Sequence, residues 1–115
     1  MMQTSNQSLD KQVQRKLEDQ FFTLLADLTH PKDQEKFLRD FLTDTELSVF
    51  SKRLAVIKML NEEKSYADIK GAIQVSSATI SGLAETKHKP GLKLAISKMK
   101  FDNWVEKFLN RIILR

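Results

Sequence analysis

Apolar side chains recur at helical steps along Leu9, Val13, Leu17, Phe21, Leu24 and Leu28, with spacings of 4, 4, 4, 3 and 4. A stripe of that period fits one face of an α-helix and fits no strand, so it predicts a first helix over residues 8–28. The stripe is too exposed to stand alone and calls for a partner helix. Breakers are scarce as well. Gly totals 3 and Pro 2 in 115 residues, and all five fall at or after Pro31. With almost no alternating apolar and polar stretches, the chain is expected to be all-α.

Further helix signals follow in order. Thr29-His30-Pro31 stops the first helix, and Pro31 suits the first position of a second, where its missing N–H costs nothing. Phe37, Leu38, Phe41 and Leu42 would be that helix's apolar face. Thr43-Asp44-Thr45-Glu46 reads as a capping box, with hydroxyl and carboxylate each reaching the other's backbone N–H. It predicts a third helix running to Leu60, with Leu47, Phe50, Leu54, Ile57 and Leu60 facing the core. Asn61 to Lys64 is a polar connection, and Ser65 is a second capping signal. Short helices are expected over 65–73, 76–86 and 92–99. Asp102 can cap a last one carrying Trp104, Val105, Phe108, Leu109, Ile112 and Ile113. One domain of residues 1–115 is expected, with 1–8 disordered, a helix-turn-helix at 65–86 and a helical tail at 101–115.

Composition removes several classes of function. Without Cys there is no disulfide framework, no Cys-ligated metal and no thiol nucleophile. No apolar run approaches 18 residues, so no membrane span is expected, and the polar start Met1–Ser8 does not read as a secretory leader. A cytoplasmic location is the expectation. Net charge is +4, unevenly placed: residues 1–63 sum to −2 and residues 64–115 to +6. A basic half suits a polyanion such as nucleic acid, and equally a solvated Lys-rich helical surface.

The informative stretch is Tyr66 to Glu85. Ile69 and Ile73 would hold a short helix to the core, Val75 would plug a turn, and Ile80 and Leu83 would anchor a second helix. Ser76, Ser77, Thr79, Ser81 and Thr86 then remain outward, with no acidic residue before Glu85. Short hydroxyl side chains let a helix approach a major groove closely and can bond bases or phosphates. Lys64, Lys70, Lys87 and Lys89 flank the stretch, as positioning contacts to phosphate would. A helical hairpin buried in a bundle would show the same apolar spacing. Gln74 occupies the turn position often filled by Gly, and must turn left-handed or use a different turn.

Residues 42–86 resemble the central region of the Trp repressor superfamily, most closely its YerC/YecD-type branch. The matching marks are Leu42-Thr43 with Glu46-Leu47, Arg53 with Met59-Leu60, Ser65-Tyr66 with Asp68-Ile69, and the run from Ser76 to Ser81. The stretch from 87 to 115 departs from the family's pattern. The resemblance implies an intertwined homodimer offering one helix-turn-helix per subunit to double-stranded DNA, the reading helices about 34 Å apart. It implies DNA contacts at Tyr66, Ala67 and Lys70, then at Ser76, Ser77, Ala78, Thr79 and Ser81. It also implies a corepressor pocket at Thr43, Arg53, Gly82 and Leu83. There Gly82 stands where tryptophan-binding members carry an Arg, and Leu83 replaces a small residue. Tryptophan is therefore not expected as a tight ligand, and no cofactor is expected.

Other features carry little. His30 and His88 are isolated, Glu18-Asp19 and Glu62-Glu63 are adjacent acids that point apart, and Ser76-Ser77 lacks a partner His. No enzyme is expected. The expected function is a sequence-specific DNA-binding transcriptional regulator, a repressor by resemblance. A helical protein-interaction module and a non-specific DNA- or RNA-binding protein are the alternatives.

Overall fold

A computed structural model describes residues 10–99, and every regular element among them is a helix. These are α1 (Lys11–Asp27), α2 (Pro31–Phe41), α3 (Asp44–Asn61), α4 (Tyr66–Ile73), α5 (Ser77–Thr86) and α6 (Pro90–Lys98). No helix among the described residues is long and apolar enough to cross a membrane. The expected disorder of residues 1–8, Leu9 of the first stripe and the expected tail helix with Trp104 lie outside the described residues. The chain divides into two compact units, one up to Leu47 and one from Ser48 on.

In the first unit, Asp10 caps α1, its carboxylate accepting from Gln12 N–H at 2.7 Å. No residue of α1 or α2 is buried, and Leu17 and Phe22 of α1 are 49% and 57% exposed. Pro31 opens α2 as expected, and His30 caps it, Nδ1 accepting from Lys32 N–H at 3.2 Å. Gln34 donates to the Leu28 carbonyl across the junction. Phe41 stacks on Phe37 and on Phe21, with ring centroids 5.0 and 5.9 Å apart. The capping box forms: Thr43 N–H donates to Glu46 Oε1 at 2.9 Å, and Glu46 N–H to Thr43 Oγ1 at 3.0 Å.

In the second unit, the core joins Val56, Met59 and Leu60 of α3 to Ile69 and Ala72 of α4 and Ile80 of α5. This corrects the expected face of α3. Ile57 and Leu60 are buried, but Phe50 and Leu54 are exposed, and Val56 and Met59 take the inside places. All five residues from Val56 to Leu60 are buried, so the end of α3 is enclosed all round rather than along one stripe. Leaving α3, Lys64 N–H bonds the Met59 carbonyl and Glu63 N–H the Leu60 carbonyl, both at 3.0 Å. That is a Schellman closure, with Glu63 at φ 61° in the left-handed place usual for Gly. Helix α6 starts two residues earlier than expected, because Pro90 fits its first position as Pro31 fits that of α2.

Candidate nucleic-acid interface

Ser65 opens α4 by accepting from Asp68 N–H at 3.1 Å, and Gln74 ends it at φ 59°, ψ 58°. That left-handed residue lets the chain reverse within Gln74, Val75 and Ser76. Val75 is half-buried against the core, as its place in the turn requires. Ser76 then caps α5, its Oγ accepting from Thr79 N–H at 3.1 Å.

At 3.6 residues per turn, the buried side of α5 assigns the other sides. Ile80 is 0% exposed, with Leu83 and Ala84 packed beside it. Ala78 and Gly82 therefore lie on the outer crest, Ser77 and Ser81 along one flank and Thr79 along the other. All of these outer residues, and Ser76, are exposed. A Cβ added at Gly82 would meet nothing within 4 Å, so the crest is open. Glu85 is the first acid of α5, and no acid occupies its first turn.

The other expected contacts are placed unevenly. Tyr66, Ala67 and Lys70 are exposed on α4, and Lys89 is exposed just before α6. Lys64 and Lys87 are half-buried. Thr86 is not outward: it is half-buried, and its hydroxyl donates to the Leu83 carbonyl at 2.9 Å. His88 is exposed, and no group of three or more acids or histidines able to hold a metal ion occurs among the described residues.

A cavity of about 570 Å³ opens between α3 and the turn leading into α5, lined among others by Arg53, Val56, Val75, Thr79, Gly82 and Leu83. Three of the four expected pocket residues meet there. Thr43 is not among the lining and serves the capping box instead. The Arg53 guanidinium lies 5.5 Å from the Phe50 ring centroid. Two features escaped the sequence reading. Lys52 joins Arg53 on the cavity wall, for which two successive cations on one helix are a faint signal. Ser76 and Thr79 also pair through their hydroxyls at 2.9 Å, for which the Ser-x-x-Thr spacing is the signal.

Two short helices locked by a shared apolar core, the second showing an exposed outer side with no acid before Glu85, define a helix-turn-helix protein. The family model described as Trp repressor protein matches residues 16–100, and the chain belongs to that family. The family is one of regulatory DNA-binding proteins rather than enzymes. The match takes in residues 87–100, part of the stretch expected to depart from the family, and leaves residues 1–15 and 101–115 outside it. No curated protein and no solved structure matches the chain.

Proposed function

We propose that this chain is a homodimeric, sequence-specific repressor, acting on DNA in the cytoplasm and reading the major groove with α5. One observation carries the reading: Ile80 is fully buried while Ser77, Ala78, Thr79 and Ser81 are all exposed on the same short helix. A reading helix needs that division. The small crest residues Ala78 and Gly82 permit close approach, and the flanking hydroxyls bond base edges or phosphates. Ser76, Tyr66 and Ala67 would border the groove, while Lys64, Lys70, Lys87 and Lys89 would meet phosphates and set the register. The largely exposed apolar stripe of α1 supports a second copy as its cover.

The same stripe also supports a second reading, a module that binds another protein. A mobility-shift series across salt concentrations, with selected and random duplexes, separates the two. Under the DNA reading, Thr79→Ala costs about 1–3 kcal/mol on the selected duplex and relaxes specificity there. Lys70→Ala weakens all duplexes alike and lowers the salt slope by about one. Binding that ignores salt and sequence favours the module. Tryptophan is not proposed as a ligand, because Gly82 offers no side chain to close over Arg53 and Leu83 fills part of the cavity wall. Calorimetric titration with micromolar tryptophan is expected to give no heat of binding.

A further inference from the structure

Groove reading as such does not require the hydroxyl pair at the start of α5. Ser76 Oγ accepts from the backbone N–H of Thr79 at 3.1 Å, and the Ser76 hydroxyl donates to Thr79 Oγ1 at 2.9 Å. The first bond favours this direction. An oxygen that already accepts from an N–H becomes a better donor and a poorer second acceptor. A short relay results, starting at the Thr79 N–H, passing through Ser76, and ending at the Thr79 hydroxyl, whose own hydrogen is left free to donate. Helical hydroxyls have another outlet, a bond back to a carbonyl in the preceding turn. Thr86 makes it to Leu83 at 2.9 Å and Ser97 to Leu94 at 2.6 Å, but Thr79 does not. Both Ser76 and Thr79 are exposed. Thr79 is β-branched and stiff at χ1, so the relay holds one polarised donor at an exposed position on the rim of the α3–α5 cavity.

We infer that Ser76 is a positioning residue for DNA reading: it predisposes the Thr79 hydroxyl to donate, so that α5 selects a hydrogen-bond acceptor on the duplex at that point. The inference rests on the groove-reading function proposed above. In the major groove the acceptors are purine N7, guanine O6 and thymine O4, while the amino groups of cytosine and adenine are donors and are disfavoured. A phosphate oxygen offers the same chemistry without sequence information. Without the Ser76 hydroxyl, the hydroxyl hydrogen of Thr79 turns freely and its oxygen can accept as readily as donate.

The test uses the full chain and a duplex that it selects from a randomised pool. Four proteins are compared: wild type, Ser76→Gly, Ser76→Thr and Thr79→Val. Gly is nearly as good an N-cap as Ser, so Ser76→Gly breaks the relay while its thermal midpoint stays close to that of wild type. Ser76→Gly and Thr79→Val are each expected to lose about tenfold in preference for the selected over a random duplex, and Ser76→Thr to restore it. Acceptors on the duplex are then weakened singly, with 7-deazapurines for N7, thio-substituted bases for O6 and O4, and methylphosphonate links for phosphates. Wild type is expected to be sensitive at one such atom at which Ser76→Gly and Thr79→Val are not. A base atom makes the contact one of sequence reading, and a phosphate makes it one of placement. A selected duplex bound by Ser76→Gly as by wild type, with the same sensitivities, overturns the inference alone. A pool that yields no preferred duplex overturns it together with the groove-reading function.

Discussion

Lys58 sits 1% exposed near the end of α3, with its Nζ 3.2 Å from Glu62 Oε1 one turn on. Taking an ammonium from water costs several kcal/mol, and a facing carboxylate offsets that only while it is present. Glu62→Ala is therefore expected to destabilise the fold by about 3 kcal/mol, whereas Lys58→Met, which removes the charge and keeps the volume, is expected to be neutral or stabilising by about 1 kcal/mol. Urea unfolding of both variants checks the sign of each change; equal losses would show that the charge itself is needed. At the same scale, Glu63 and Gln74 are the two non-glycine residues of left-handed backbone. For Gln74 the sequence left two possibilities, a left-handed residue or a different turn, and the structure takes the first. Glu63 was not legible beforehand, because Asn61 to Lys64 reads as an undifferentiated polar link.

The helices owe their ends to local chemistry, and two of them make testable statements. Gly82 lies inside α5 with open space where a Cβ would stand. Gly82→Ala is expected to raise stability by about 1 kcal/mol in denaturant titration, because it removes backbone freedom from the unfolded chain without a clash. At the start of α3, the backbone N–H of Thr43, and then its hydroxyl, hold the Glu46 carboxyl below its ordinary value of 4.5. A carboxyl lowered on folding contributes stability that is complete above its unfolded pKa and disappears as the pH falls through the folded one. The capping box is thus whole at neutral pH and fails on the acid side of that value. Glu46→Gln is expected to flatten the acid limb of a plot of thermal midpoint against pH while leaving its neutral part parallel to that of wild type.

For the whole molecule, the exposed stripe along Val13, Leu17, Phe21 and Leu24 matters most. Helices with no buried residue are not held by their own packing, and a contiguous apolar face of this length marks an association surface. Under the proposed function, a two-fold partner would also supply the second reading helix that half-sites one helical turn apart require. Leu17→Glu is expected to shift the sedimenting species from dimer to monomer and to weaken binding to the selected duplex by more than about tenfold, although residues 66–86 are untouched. A variant that stays dimeric and binds as wild type would count against this.

What the sequence determined by itself is what depends on neighbours a few residues away. The helical period, the caps at Thr43 and Ser65, and Pro31 at the first position of its helix all follow from bonds and contacts within one or two turns. Only the tertiary structure decided which side of α3 is inside. Phe50 and Leu54 are the stronger hydrophobes by inspection, yet Val56 and Met59 are buried, because burial is conferred by α4 and α5. The same holds for Thr86, outward by its period and half-buried in fact, and for the cavity that gathers Arg53, Gly82 and Leu83. A helix can form from local propensity, but a face becomes interior only where a distant segment arrives to exclude water from it.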